Sequence, residues 1–333
     1  MKVLLYSEGL KKIKNSGLGK AINHQIDALK NSDIEYTLDS KCNDFDIVHI
    51  NFYNPRAYLF AKKAHKMGKK VVFHAHSTEE DFKNSFPFSN FLSPVFKKWI
   101  CKCYKQGDYL ITPTEYSKKL LEKYNLERKI YPLSNGIDMK FFEKNIELGK
   151  LFRKKFNFTE NDKVVMGVGL YFERKGILEF IELAKRLPQY KFIWFGSNPL
   201  YMSPVKVRRA LKTKLSNLYF PGYVEPEILR GAYSGANLFI FPTKEETEGI
   251  PILEAFTSKI DTIVSDIPVF DWTKKNIDVY KASNIDEFEM YIKKILEKEL
   301  PSLVDNAYKT VEPKEIKNVG KHLINIYKEV IDR

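Results

Sequence analysis

Leu238-Phe239-Ile240-Phe241-Pro242 leads into Glu246-Thr247-Glu248-Gly249-Ile250-Pro251-Ile252-Leu253-Glu254. The first run is short, continuous and apolar, as a strand buried on both faces requires. Gly249 and Pro251 then punctuate a loop, and an apolar helical pattern follows. Carboxylates therefore fall where a buried strand ends and a helix begins, and in open α/β sheets ligands bind at the carboxyl ends of strands. Glu246 and Glu254, with seven residues between them, are too distant to face each other within one helix. They can address two ends of one elongated ligand. A charged loop capping an ordinary helix is the alternative, because acidic side chains suit helix N-termini.

Working outward, the same grammar repeats. Val3–Tyr6, Ile47–Ile50, Val71–His74 and Tyr109–Thr112 are short apolar runs, with helical patterns such as Ala21–Lys30 and Ala57–Lys66 between them. A second series follows: Val164–Gly167, Phe192–Phe195, Asn217–Phe220, Leu238–Phe241 and Thr262–Val264. Runs of this kind separated by helices predict buried parallel strands in doubly wound sheets. Two series divided near residues 139–160 predict two Rossmann-like domains, 1–145 and 146–312. From Pro313 onward, Ile316, Val319, Leu323, Ile326, Tyr327 and Val330 recur at helical spacing, so 313–333 reads as an amphipathic helix.

A length of 333 residues suits two cores, and 44% hydrophobic residues exclude a disordered chain. No apolar run approaches the ~20 residues of a membrane-spanning helix, and Met1–Tyr6 reads as a first strand rather than a signal peptide. Three cysteines, Cys42, Cys101 and Cys103, make no disulfide framework, in keeping with a cytoplasmic location. The formal charge of +13 is uneven: residues 1–150 hold 26 Lys and Arg against 17 Asp and Glu, the remainder 29 against 25. Such a field favours an anionic surface or a phosphorylated substrate. Nucleic acid is not expected, since no RNA- or DNA-binding motif accompanies the charge.

Several motifs in fixed order now converge: Ser16-Gly17-Leu18-Gly19, Ser134-Asn135-Gly136-Ile137-Asp138, Arg174-Lys175-Gly176, the Glu246/Glu254 pair, and Thr262-Ile263-Val264-Ser265-Asp266. Together the chain resembles family 4 of the retaining glycosyltransferases. Glu245–Ile250 and Asp266–Phe270 resemble the branch of bacterial glycolipid synthases that add a hexose to diacylglycerol or monoglucosyldiacylglycerol. The resemblance implies a GT-B fold, two Rossmann-like domains facing a central cleft, with the C-terminal helix returning to the first domain. It also implies a UDP-sugar donor, UDP-glucose or UDP-galactose, and a glycolipid acceptor, most simply the second hexose onto monoglucosyldiacylglycerol. First-step transfer to diacylglycerol, or a soluble or polysaccharide acceptor, is the alternative. By the same resemblance, Arg174 and Lys175 hold the donor diphosphate, and two cations at a helix start suit that task by charge and dipole. Where the family usually carries a further Arg directly after the glycine, this chain has Leu170. Glu246 binds hydroxyls of the transferred sugar and Glu254 those of the ribose, because each carboxylate accepts two hydroxyl hydrogen bonds. Gly17, Gly19, Val224, Gly249 and Ile250 complete the donor site. Catalysis is expected to fall to Glu246, His76, Arg174 and Lys175, without a metal or other cofactor.

His74-Ala75-His76 puts two imidazoles on one face of a strand end. His76 is the expected contact to the donor sugar, with His74 the second choice; a zinc pair completed by Cys101 and Cys103 is the rival reading, against which stands their unusual spacing. Finally, Ser93-Pro94 reads as the start of a helix in which Leu92, Val95, Phe96, Trp99, Ile100 and Cys103 share a face, with Lys97, Lys98 and Lys102 on others. A basic amphipathic helix bearing Trp and Phe can lie in an anionic membrane interface. Attachment through Trp99, Lys97, Lys98 and Lys102, peripheral on the inner face of the cell membrane, is the expectation; packing on the protein's own sheet is the alternative.

Overall fold

The computed structural model describes residues 1–8, 10 and 17–332; Ser16 of the first motif lies outside them. Among the described residues two six-stranded sheets form, all of whose strands pair in parallel. The first contains β1 (Lys2–Tyr6), β2 (Glu35–Thr37), β3 (Ile47–Ile50), β4 (Lys70–His74), β5 (Tyr109–Thr112) and β6 (Lys129–Pro132), in the order β2-β1-β3-β4-β5-β6. The second contains β7 (Val164–Val168), β8 (Lys191–Phe195), β9 (Leu218–Gly222), β10 (Leu238–Phe241), β11 (Thr262–Ser265) and β12 (Tyr280–Ala282), in the order β12-β11-β10-β7-β8-β9. The central strands are mostly Val, Ile, Leu and Phe and are buried along nearly all their length, which is why their apolar runs are nearly continuous.

β2, β6 and β12 do not appear among the sequence expectations. All three are sheet edges, three or four residues long. An edge strand needs no continuous apolar run, and Glu35-Tyr36-Thr37 or Tyr280-Lys281-Ala282 has none.

The chain clusters into two units. Unit one gathers Met1–Glu80, Leu92–Ile137 and the stretch from Pro313; unit two gathers Asp81–Phe91 and Asp138–Glu312. In unit one the last helix, Ile316–Ile331, buries Leu323, Ile326, Tyr327 and Val330 in the same core as β1, β3 and β4. Its entry is pinned by Ile137, whose N–H donates to Lys314 and whose carbonyl accepts from Ile316, both at 3.0 Å.

Two local readings are corrected. The first long helix is described over Gly17–Lys30, so Gly17 and Gly19 are helical and lie ahead of the Ala21–Lys30 pattern. The helix Ser89–Tyr104 starts ahead of Ser93 and holds Pro94 inside it. Its buried side carries Ile100 and Cys103, with Phe96 and Trp99 packed against the core. Leu92 and Val95 face outward instead, 44% and 66% exposed.

Candidate functional site

In unit two the strand order reverses between β7 and β10. Loops leaving such neighbours diverge and leave a crevice at the strand ends. The loop after β7 carries Arg174 and Lys175 in a short 3-10 turn, Glu173–Lys175, and the helix Ile177–Arg186 follows. Gly176 joins them at φ +78°, and a Cβ there would stand 2.1 Å from the Pro242 carbonyl oxygen at the end of β10. Only glycine lets the turn pass so close.

This close passage brings the two loops together. The Lys175 ammonium pairs directly with Oε1 of Glu246, and the Thr243 hydroxyl lies 3.0 Å from the same oxygen. Glu246 is 7% exposed. Burial pulls the Lys175 ammonium below its usual value, with Arg174 adding to the fall and Glu246 opposing it. Arg174 is held from several sides. Its Nε donates to Ser85 Oγ at 2.7 Å and Nη1 to the Glu245 carbonyl at 3.0 Å. The carboxylates of Asp81 and Glu246 each lie 3.9 Å from its guanidinium. Its main chain is tied as well: Arg174 N–H donates to Asn84 O at 3.1 Å, and Lys244 N–H donates to Arg174 O at 2.7 Å. Phe86 meets Phe172 edge-on, with centroids 4.8 Å apart. Residues 81–91 thus form a strap across the turn that carries the two cations.

Glu254 is buried one turn into the helix Ile250–Thr257, which Gly249 opens at φ +84°. Its Oε2 accepts from the Tyr233 hydroxyl at 2.9 Å. Val224 follows β9, half-buried, beside the exposed Tyr223. Among the residues expected from the sequence, then, unit two gathers Arg174, Lys175 and Glu246 tightly, and seats Glu254 with a separate partner. Thr243, Tyr233, Ser85 and Asp81 were missed. Thr243 follows the strand-ending Pro242 and was open to notice; nothing in the sequence ties residue 85 to residue 174.

Unit one has its own reversal, between β1 and β3. In the parallel register His49 sits opposite Val72, so alternation puts His49, Asn51, His74 and His76 on one face. The rings stack in a row: His49 to His74 at 5.4 Å, His74 to His76 at 4.0 Å. His76 Nε2 is 2.8 Å from Asn51 Oδ1, Gln25 bonds both Asn51 and His74, and His49 Nδ1 is 2.5 Å from the Tyr327 hydroxyl. Burial depresses all three imidazoles, His49 and His76 to about 3 and His74 well below its usual value, so the row is neutral. Asn51 and Gln25 were missed, although a polar residue directly after an apolar strand is a readable signal.

Cys103 does not join the histidines: it is buried, its thiol pushed up by burial to about 12, with Sγ 3.6 Å from the Tyr53 carbonyl. Among the described residues no cluster of three His, Cys, Asp or Glu could hold a metal ion. Asp44-Phe45-Asp46 has an Asp-x-Asp spelling, but Asp44 pairs with Lys2 Nζ at 2.9 Å and Asp46 accepts from the Lys2 N–H at 2.8 Å. The membrane contacts expected of the helix Ser89–Tyr104 also change. Trp99 points inward, its indole N–H donating to Tyr53 O at 2.6 Å, and Lys97 pairs with Glu79 at 3.2 Å. Lys98 and Lys102 remain exposed. No helix among the described residues is long and apolar enough to cross a membrane.

Two six-stranded parallel sheets, each with a polar reversal point, are the pattern of a GT-B fold. Solved structures agree at the level of fold: Anabaena Alr3699/HepE in complex with UDP-glucose matches with TM-score 0.77 at 12% identity, covering 99% of this chain and 100% of that one. Sucrose-phosphate synthase from Thermosynechococcus elongatus matches with TM-score 0.72 at 17% identity, covering 86% and 74%. The chain belongs to the family 4 glycosyltransferases: residues 32–141 match the Glycosyltransferase Family 4 model and residues 150–311 the Glycosyl transferases group 1 model. It is 42% identical to a processive diacylglycerol alpha-glucosyltransferase of Acholeplasma laidlawii, over 99% of both chains. An alpha-galactosylglucosyldiacylglycerol synthase of Streptococcus pneumoniae is 26% identical, over 68% of this chain and 61% of its own.

Proposed function

We propose that the protein transfers glucose from UDP-glucose to diacylglycerol at a membrane surface, with retention at the anomeric carbon. The observation that carries this reading is the 42% identity, end to end, with a diacylglycerol glucosyltransferase. That likeness favours the first hexose over the second-hexose reading expected from sequence spelling alone, and the relative's processive character allows a second transfer by the same site.

In this proposal the bond between C1 of glucose and the UDP β-phosphate oxygen breaks while the acceptor hydroxyl oxygen bonds C1 on the same face. The hydroxyl proton passes to the departing phosphate. Lys175, Arg174 and the first N–H groups of the helix Ile177–Arg186 meet the charge that develops on the diphosphate, as preorganised electrostatics without a metal ion. The diphosphate takes over the Lys175 ammonium, and Glu246, relieved of that partner, accepts hydroxyls of the sugar. Glu254 takes the ribose hydroxyls, and His76 meets a substrate hydroxyl.

Membrane attachment rests on the outward face of the helix Ser89–Tyr104 and the turn before it, not on Trp99. Phe88 and Phe91 are 80% and 82% exposed, and Phe88 holds φ +64°, a costly backbone for a bulky aromatic. Leu92, Val95, Lys98 and Lys102 continue the exposed surface at helical spacing. Apolar side chains followed by lysines on one face suit insertion into an anionic interface.

Purified protein is incubated with UDP-glucose or UDP-galactose in anionic mixed micelles containing diacylglycerol or monoglucosyldiacylglycerol. Monoglucosyldiacylglycerol formed from UDP-glucose and diacylglycerol is the expected product. Product only from the glycosylated acceptor would return the second-hexose reading; no product from either lipid would overturn the lipid acceptor. Phe91→Asp should weaken flotation with anionic vesicles about tenfold or more, the worth of one buried aromatic side chain.

A further inference from the structure

Two of the neutral rings in unit one, His74 and His76, are tied into a single hydrogen-bonded relay. Asn51 Oδ1 receives His76 Nε2 at 2.8 Å and Gln25 Nε2 at 3.0 Å. Asn51 Nδ2 donates back to Gln25 Oε1 at 2.8 Å, and the second hydrogen of Gln25 Nε2 faces His74 Nδ1 at 3.0 Å. Both amides are buried, Asn51 at 1% and Gln25 at 6% exposure. Each comes from a different element of the β1/β3 reversal: Gln25 from the helix after β1, Asn51 from the end of β3, and the histidines from the end of β4. A neutral imidazole has one N–H and one lone pair, and whichever atom the nitrogen's partner presents decides which nitrogen carries the proton. An amide oxygen faces Nε2 of His76, so the N–H sits there. His76 Nδ1 makes no hydrogen bond among the described residues, and in this tautomer it carries the lone pair.

We propose that Asn51 and Gln25 are positioning residues which lock His76 as the Nε2–H tautomer, so that its Nδ1 offers a lone pair to a substrate hydroxyl. The relay has a consequence for specificity. An Nδ1 lone pair accepts from a hydroxyl and rejects a group that can only accept, so the position facing it must present O–H. The Asn51–Gln25 pair is reciprocal, so turning both amides over together would keep every bond and reverse the tautomer of His76 and His74 at once. The tautomer is therefore the decisive quantity. The use made of His76 rests on the proposed glycosyl transfer; the locked tautomer does not.

The test uses the full chain with nitrogen-15 and carbon-13 labelled histidine. Spectra of wild type, assigned with a His76→Gln variant, should show His76 as a single Nε2–H tautomer across neutral pH. An Nδ1–H signal, or an averaged pair, would overturn the proposal. Asn51→Ala should release the ring to average between tautomers and lower kcat about tenfold, the worth of one hydrogen bond, with a smaller change in KM for the UDP-sugar. Asn51→Asp should restore the Nε2–H tautomer and part of kcat, while moving the acid limb of the pH–rate profile toward neutral, because a carboxylate stabilises imidazolium. An unchanged kcat in Asn51→Ala would sink the positioning role. Full turnover in His76→Gln, with the tautomer locked in wild type, would instead dismiss His76 from glycosyl transfer and leave the relay standing.

Discussion

At the β7/β10 reversal, Arg174, Lys175 and Glu246 crowd together with Asp81 at the margin. At the β1/β3 reversal, in the same kind of sheet, the cluster consists of His49, His74, His76, Gln25 and Asn51, and burial holds the imidazoles neutral. One topology thus supports two opposite electrostatic solutions. The charged crevice satisfies its cations with carboxylates. The neutral one satisfies amides with rings, fixing hydrogen-bond direction rather than charge. The first arrangement suits the binding of charge, the second the recognition of a group by the direction of its hydrogen bond.

The sharpest way to break the comparison is to remove charge from the charged side. Lys175→Ala should lower turnover by about 10²–10³-fold, as losing one preorganised electrostatic donor does. It should also destabilise the protein by about 1–3 kcal/mol, since buried Glu246 loses its directly bonded cation and keeps Arg174 only at 3.9 Å. Lys175→Ala with Glu246→Ala should be more stable than the sum of the single losses predicts, a coupling that urea titration of all four proteins measures.

Acid should distinguish the two sides next. The imidazole values in unit one lie at about 3 for His49 and His76 when folded, against about 6.5 when unfolded. Between those values the unfolded chain binds more protons, so stability is fully present above about pH 6.5 and falls as pH drops toward 3. The slope is about 1.4 kcal/mol per pH unit for each ring that behaves so. His49→Phe should flatten the curve, and denaturant midpoints from pH 7 to pH 4 would show it. A wild-type curve flat across that range would mean that the rings protonate in the folded state.

A smaller change addresses the strap. Ser85→Ala removes the 2.7 Å bond to Arg174 Nε and should cost about 1 kcal/mol. It should appear as a several-fold rise in KM for UDP-glucose with kcat little altered. A change confined to kcat would place Arg174 in the chemical step rather than in donor binding.

Much of this frame was legible before any coordinates. Val164–Gly167 and Leu238–Phe241 announced themselves as buried strands because both their faces are covered. Arg174, Lys175 and Glu246 were legible as strand-end residues, because motif spacing records which loop a side chain belongs to. Spacing does not record rotation or distant partners. The amphipathic pattern of residues 92–103 is nearly as apolar outside as inside, so Trp99 and Val95 looked equivalent until packing separated them. The bonds from Ser85 to Arg174 and from Tyr327 to His49 join residues 89 and 278 positions apart, and single-sequence periodicity carries no information at that range.

The strap and the last helix also bear on how this gene can be recombined. The natural-looking cut lies between the two matched segments, after residue 141 and before residue 150. A chimaera joined there would take Asp81 and Ser85 from one parent and Arg174 from the other. It would likewise split His49 from Tyr327, 278 positions further along the chain. Viable exchange of the second unit between relatives must therefore transplant two pieces rather than one, the main block and the eleven-residue strap that serves it, with a breakpoint that leaves the helix Ile316–Ile331 with the original first unit.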